Sequence, residues 1–344
     1  MQTSKSAFIA GAFILCLPAV SLAQDEDDGE FRRARLGMRI RYDRDWVFTS
    51  SVDLVDKPRL RDLSLEYRGL PVRIEVGRFQ EPFGLAEYGS SKDTLFMERP
   101  SPSSFGPDYG LGAALNYRAP MWAISVGAFA ANDSPQFGGD RNESALTGRL
   151  NFTPLRGTPH LHVGASYSQR KSDETGGPRL RGSAETILVT GYTPRSLRDP
   201  LEDEYRVSAG EAALRVGSVL VQAEYFDVAS DGVIEGDGWY AEAGWILTGE
   251  KRRYSTRFGS FDGVNPKRPI GRGGFGALEV GVRYSEADFS ETGGDRGTVA
   301  GVALNWYPIE NIRFSVNAQR VTFEELTLAE IETDVIQGRV QVYF

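Results

Sequence analysis

From Phe31 to the carboxyl terminus, apolar and polar residues alternate with period two, the period of a strand with one apolar face. Residues 122–130 set Trp122, Ile124, Val126, Ala128 and Ala130 on one face, with Ser125 and Gly127 on the other. Residues 278–285 oppose Leu278, Val280, Val282 and Tyr284 to Glu279, Gly281, Arg283 and Ser285. Residues 312–319 oppose Ile312, Phe314, Val316 and Ala318 to Arg313, Ser315, Asn317 and Gln319. No comparable segment has the i, i+3, i+4, i+7 spacing of an amphipathic helix. The alternation predicts fifteen strands, at 31–42, 46–55, 60–68, 72–79, 109–118, 122–131, 144–153, 160–169, 204–216, 218–228, 237–247, 275–288, 297–307, 311–323 and 333–344. Most have about ten residues, enough to cross a bilayer at a steep tilt.

The connections fall into two kinds. Short links at 43–45, 69–71, 119–121, 154–159, 217 and 308–310 alternate with longer ones at 80–108, 132–143, 170–203, 229–236, 289–296 and 324–332; 56–59 and 248–274 break the pattern. Outer-membrane barrels have this asymmetry, with short periplasmic turns and longer outer loops. Closure also removes the sheet edges that lipid cannot solvate. Val340, Val342 and Phe344 end the chain on one apolar face, and Trp46, Tyr67, Tyr117, Trp122, Tyr167, Tyr225, Trp239, Trp245, Tyr284 and Trp306 lie near strand ends, as interfacial girdles do. The expected fold is all-β: a transmembrane antiparallel β-barrel of about sixteen strands, fifteen of them read here.

The first residues read differently. Lys5 is followed by an apolar run from Ala7 to Val20, and Ser21-Leu22-Ala23 places small residues for cleavage before Gln24. Residues 1–23 are therefore expected to be a signal peptide, 24–30 an acidic solvated tail, and 31–344 the barrel. The only cysteine, Cys16, lies in the apolar run, where the bulky Leu15 before it disfavours a lipoprotein cleavage box.

Composition narrows the function. With 39 Lys+Arg against 47 Asp+Glu, the net charge of −8 argues against a nucleic-acid partner. One cysteine and two histidines, His160 and His162, leave little for a metal site or His-based catalysis, and neither histidine has an evident partner pattern. No metal, cofactor or catalytic residue is expected, and the protein is read as no enzyme. The 40 % apolar content is about what alternation supplies when only the outside of a barrel meets lipid.

If apolar faces point outward, the opposite faces line a lumen. Arg33, Arg35, Arg39 and Arg41 share one parity, against Ala34, Leu36, Met38 and Ile40, and form a basic track. Arg73, Arg149, Arg283, Arg313 and Arg339 repeat the inward choice, while Asp53, Asp62, Glu66, Glu75, Glu224, Glu242 and Glu279 offset it. Guanidinium forks suit transient contact with phosphate or carboxylate; facing charges can equally brace a wet lumen. The wall is mixed, so an anion preference is expected without strict specificity. The 80–108 link carries Phe83, Leu85, Leu95 and Phe96, which would anchor it on the inner wall and bring Lys92 and Arg99 into the passage. A surface lid packed on itself is the alternative.

Several of these segments carry a family likeness. Phe31-Arg32-Arg33-Ala34, Gly77-Arg78-Phe79 running into Glu81-Pro82-Phe83-Gly84-Leu85, Ser90-Ser91-Lys92, Phe96-Met97-Glu98-Arg99, Gln222-Ala223-Glu224-Tyr225, Leu247-Thr248-Gly249-Glu250 and Gly276-Ala277-Leu278-Glu279 occur in an order and spacing that resemble the phosphate-selective porin O and P family of Gram-negative outer membranes. The resemblance implies a sixteen-stranded homotrimeric porin in outer-membrane lipid, whose third outer loop bends inward to narrow the pore. It also implies an arginine ladder leading small anions such as phosphate to a constriction lysine. By position Arg32 and Arg33 match the first arginines, Arg179 and Arg181 those of a long later loop, Lys92 the lysine, and Asp62 an acid near it. Three departures stand out. Position 47 is valine where phosphate-selective relatives place a second lysine, the long loop holds only Arg179 and Arg181, and the family's first strand is missing before Phe31. A short or irregular N-terminal closure, or a start codon placed too late, would account for the missing strand. The expected function is a passive diffusion channel for small solutes; the alternative is a sealed structural or adhesive barrel.

Overall fold

The computed structural model describes residues 8–21, 29–30, 32–55, 57–132, 141–172, 182–186, 204–230, 235–325 and 330–343. Among them, sixteen strands of eight residues or more form one closed antiparallel sheet. They are β1 (Phe8–Ser21), β2 (Ala34–Tyr42), β3 (Trp46–Asp53), β4 (Arg59–Tyr67), β5 (Val72–Gln80), β6 (Tyr109–Arg118), β7 (Trp122–Asn132) and β8 (Arg141–Arg156), then β9 (His160–Ser172), β10 (Glu204–Val216), β11 (Val219–Ser230), β12 (Glu235–Ile246), β13 (Ala277–Asp288), β14 (Arg296–Ile309), β15 (Ile312–Glu324) and β16 (Ile331–Tyr343). Strands β2 to β16 are the fifteen that the alternation predicts. No helix is long and apolar enough to cross a membrane.

The sixteenth strand comes from the segment that reads as an export signal. Strand β1 pairs with β2 from Phe8↔Arg41 to Leu15↔Ala34, and with β16 from Ile14↔Tyr343 to Ser21↔Gln337. Gly29–Glu30 adds a short pairing to Val20 and Ala19. With β1 in place Phe8 and Tyr343 lie towards the short-turn rim, and the link after β5 becomes the third on the opposite rim. The segment 22–28 lies outside the described residues.

The alternation becomes two chemically distinct faces. Leu63, Leu115, Val126, Leu146, Val282, Val302 and Val316 are exposed on the outside of the barrel. Asn116, Thr147, Ser166, Glu224, Asn305 and Gln319 are buried on the inside. Aromatic pairs stand near both rims: Trp46 with Tyr67 (4.7 Å), Trp122 with Phe152 (4.1 Å) and Trp306 with Phe314 (5.3 Å) towards the short turns, Trp239 with Tyr284 (5.2 Å) towards the long loops. Such girdles mark the membrane interfaces.

Inward polar residues are buried because two segments fold into the barrel from opposite rims. The first, 81–108, enters from the long-loop rim and contains a short helix, Leu85–Tyr88, and a 3-10 turn, Ser101–Phe105. Its Phe83 and Phe105 are fully buried among Phe226, Tyr240 and Phe289 of the wall. Each such burial contributes about 2 kcal/mol relative to exposure. Leu95 fits over β12 and β13 because Gly244 and Gly281 lie beneath it: a Cβ on Gly281 would stand 2.7 Å from the Leu95 side chain. The second segment, 247–276, joins β12 to β13 and enters from the short-turn rim. It contains a small hairpin, Tyr254–Ser255 against Ser260–Phe261, whose Phe261 packs with Leu85 and Ala213. The two segments meet inside the barrel.

Candidate functional site

Six inward arginines of the strands hold the two inward segments by their backbone carbonyls. Arg313 donates to Thr94 O (2.7 Å) and Leu95 O (2.8 Å), and Asn305 donates to Leu95 O (2.8 Å). Arg283 donates to Glu98 O (2.9 Å) and Arg339 to Met97 O (2.5 Å). On the other side of the barrel, Arg118 donates to Arg257 O (2.6 Å), Arg149 to Phe258 O (2.5 Å) and Gly259 O (3.0 Å), and Arg215 to Arg252 O (2.7 Å). Arg252 then donates to Asp93 O (2.5 Å) while its fork rests on Glu279 at 2.8 Å, tying one segment to the other. A charged donor on a buried carbonyl satisfies a main-chain group that no strand can reach.

Inward acids act in the same way. Glu224 accepts from Leu85 N (2.5 Å), Ala86 N (2.8 Å) and the Tyr240 hydroxyl (2.8 Å). Glu81 accepts from Arg170 (2.9 Å) and Thr147 (2.6 Å). Glu185, in the described part of the long link after β9, accepts from Ser101 N (2.7 Å) and Arg283 (2.8 Å). His162 bridges the small hairpin to the wall, with Nδ1 at 2.8 Å from the Tyr254 hydroxyl and Nε2 at 2.9 Å from Glu211, which also pairs with Arg149 at 2.7 Å. The histidine that has no partner pattern in sequence is thus a wholly buried brace. His160 packs against Tyr254 in a tilted pair, 4.5 Å between ring centres.

The residues matched by family position separate into groups. Arg32 pairs with Glu98 at 3.1 Å and Arg33 at 3.6 Å, and Arg339 closes on the same carboxylate. Burial alone would raise the Glu98 carboxyl, but the guanidiniums of Arg32, Arg339 and Arg33 hold it well below the ordinary carboxylate range. Arg35 pairs with Asp53 at 3.1 Å and Arg39 with Glu66 at 3.6 Å, whereas Arg41 is exposed. Arg99 folds back onto its own segment, donating to Glu87 Oε1 (2.9 Å) and Gly89 O (2.9 Å). Val47 is buried. Arg179 and Arg181 lie outside the described residues.

A cavity of about 590 Å³ remains between the wall and the inward segments. It is lined near the long-loop rim by Arg35, Arg61, Asp108 and Tyr109 and near the short-turn rim by Glu310, Asn311 and Tyr343, so its lining runs along the height of the wall. Six basic residues line it (Arg35, Arg61, Lys92, Arg99, Arg253, Arg257) and six acidic ones (Asp62, Glu75, Asp93, Asp108, Asp262, Glu310). Arg35, Arg61 and Arg99 are in ion pairs, Arg61 with Asp108 at 2.8 Å. Among the described residues Lys92, Arg253 and Arg257 are in none: the Lys92 ammonium lies over the Tyr343 ring at 4.7 Å, and Arg257 over Phe258 at 4.8 Å. Asp62 accepts from Ser51 Oγ at 2.5 Å. Burial raises Asp93 and Asp262 above the ordinary carboxylate range, and for Asp262 the charge of Asp93 adds to it.

Parity misses three of these cations. Arg61 and Asp62 are consecutive yet both reach the cavity, because the register between β3 and β4 shifts after Ser51. Arg253 and Arg257 sit in a segment without alternation, where only the unusual length of the link on the short-turn side signals an inward fold.

The sequence model of the family described as phosphate-selective porin O and P matches residues 17–344. The chain is similar to an uncharacterized protein of Caulobacter vibrioides, 30 % identical over 321 residues that cover 87 % of this chain and 64 % of that protein. It is also similar to Porin O of Pseudomonas aeruginosa, 27 % identical over 348 residues, covering 88 % of this chain and 78 % of the relative. Among solved structures, an anion-selective porin from Comamonas acidovorans superposes with a TM-score of 0.63 at 12 % identity, covering 99 % of this chain and 100 % of its own. A trimer form of OmpT, an outer membrane protein of Vibrio cholerae, gives 0.58 at 11 % identity, covering 98 % and 100 %. These folds agree with a barrel in a Gram-negative outer membrane, and by its nearly full-length match the chain belongs to the phosphate-selective porin O and P family.

Proposed function

We propose that the protein is a passive outer-membrane diffusion channel for small hydrophilic solutes, with a modest preference for anions such as phosphate, and that it works as a homotrimer. The observation that carries this reading is the cavity whose lining runs from one rim to the other, with Lys92, Arg253 and Arg257 as its cations outside ion pairs. A passing anion can exchange contacts among these groups without competing, among the described residues, against a carboxylate within ion-pair distance. Three such cations against carboxylates on the same lining argue for weak, multi-site contact, which conduction requires. Arg32 and Arg33 then serve the passage by seating the inward loop, whereas Arg35 and Arg99 supply a paired, field-shaping lining. The signal peptide 1–23 directs export, and the Porin O relative and the trimeric neighbour support the solute class and the assembly.

Planar-bilayer recording in a potassium chloride gradient tests the reading. The reversal potential should have the sign of a channel that passes chloride more readily than potassium, and phosphate should reduce chloride current. A cation-selective reversal potential would remove the anion preference. Liposomes that fail to swell in small sugars would identify a sealed barrel instead.

A further inference from the structure

The segment 247–276 folds inward only in its first half. Beyond Asn265, which still lines the cavity, residues 268–275 lie against the outside of the barrel at the short-turn rim. Ile270 N donates to Pro308 O (2.9 Å), the Trp306 indole donates to Phe275 O (2.9 Å), and Phe275 stacks on Trp306 at 5.3 Å. Trp306 in turn stacks on Phe314 at 5.3 Å. Phe275 remains 60 % exposed and Ile270 47 %, and between and beside them Arg268 and Arg272 are exposed. Neither arginine makes an ion pair among the described residues.

Directly above this aromatic stack, on the same lipid-facing wall, is an open groove of about 540 Å³. Every residue that lines it is apolar or glycine, including Trp245, Val280, Leu304, Val316 and Ala318. Leu304 and Val316 lie two residues from Trp306 and Phe314 along their strands, on the same face. Cations at the rim, an aromatic belt, and an apolar groove towards the bilayer centre follow one another in the order of a lipid's headgroup, glycerol region and chain.

We propose that this wall is a binding site for an anionic glycerophospholipid of the periplasmic leaflet. Arg268 and Arg272 would hold the headgroup phosphate, Phe275 and Trp306 would flank the glycerol region, and the groove would take an acyl chain. Charge complementarity selects the occupant: two guanidiniums at headgroup level, in no ion pair among the described residues, favour a negatively charged lipid over a zwitterionic one. The inference does not depend on what the channel conducts, since Arg268 and Arg272 lie outside the passage lining.

Native mass spectrometry of the detergent-solubilised protein, with phosphatidylglycerol or phosphatidylethanolamine added at equal concentration, tests it. Phosphatidylglycerol adducts should exceed phosphatidylethanolamine adducts roughly tenfold, and an Arg268→Gln/Arg272→Gln variant should lose most of that difference. Ala318→Phe, which fills the groove and leaves the arginines intact, should reduce adducts of both lipids. Inorganic phosphate at millimolar concentration should not displace the lipid; displacement would mean a free-phosphate site instead. Equal retention of the two lipids by the unaltered protein would overturn the proposal without any variant having to fold. So would a phosphatidylglycerol preference that survives both arginine changes in a variant of normal conductance.

Discussion

Arg32 Nε donates to Glu98 Oε1 across 3.1 Å, so a residue just ahead of β2 grips the tip-to-wall return of a loop that begins after β5. Arg33 and Arg339 meet the same carboxylate, and three cations around one buried anion make a joint that fails unevenly. Removing the anion leaves guanidiniums buried without a counter-charge, which costs on the order of 3 kcal/mol. Glu98→Gln should therefore lower the heat-denaturation midpoint of the folded barrel on gels and add flicker and mean conductance in bilayers. Because the folded carboxyl titrates far below its ordinary range, this joint contributes fully at neutral pH and is lost only as pH falls through that depressed value.

Selectivity should follow the cations outside ion pairs. Lys92→Gln and Arg253→Gln are each expected to shift the reversal potential towards potassium, whereas Arg35→Gln, whose charge is matched by Asp53 at 3.1 Å, should shift it less. Reversal potentials of the three variants in one gradient decide the order.

Acid should strengthen the anion preference. Asp93 and Asp262 line the passage and burial raises both, so they take up protons before ordinary carboxylates as pH falls from neutral towards the ordinary carboxylate range. The lining loses negative charge, and its balance moves towards the cations Lys92, Arg253 and Arg257. Chloride-over-potassium permeability is expected to rise over that range, and Asp93→Asn/Asp262→Asn should flatten the rise.

The small hairpin of the second inward segment hangs on Arg149, which holds Phe258 O, Gly259 O and Glu211 together. Arg149→Ala leaves Glu211 buried with His162 as its remaining partner. Freed from the wall, the hairpin should leave the lumen part of the time, and single-channel conductance should increase with larger open-state noise. An unchanged conductance would show that the hairpin holds its seat without this arginine.

The amino terminus offers a test by mass. Cleavage after Ala23 predicts a mature protein that begins at Gln24, whereas β1 uses Phe8–Ser21 as the strand between β2 and β16. The intact mass of protein purified from outer membranes is expected to correspond to the Gln24 start, with β2 and β16 then closing the wall by other means. A mass that retains Met1–Ala23 would make Phe8–Ser21 a permanent wall strand.

The wall was readable because each strand sorts its residues by solvent. Leu63, Val282 and Val316 meet lipid while Ser64, Arg283 and Ser315 turn inward, and period two reports that sorting directly. The same parity identified Arg149, Arg283, Arg313 and Arg339 as inward, yet their use as holders of loop carbonyls was invisible, because a carbonyl leaves no trace in a residue's identity. Arg61 was hidden by the register shift that follows Ser51. Arg253 and Arg257 were hidden by a segment whose fold is imposed by its surroundings. The strand 8–21 was concealed for another reason: an apolar run without alternation reads equally as an export signal.

The anchoring of the 92–98 stretch through Thr94 O, Leu95 O, Met97 O and Glu98 O carries an evolutionary consequence. Main-chain oxygens survive almost any substitution, so a residue of this stretch whose side chain is not packed into the wall can be rewritten while the loop keeps its place. Lys92 lies at the edge of that stretch, pointing into the passage. A descendant could exchange it for another chemistry and acquire a different cargo without renegotiating the architecture that holds it.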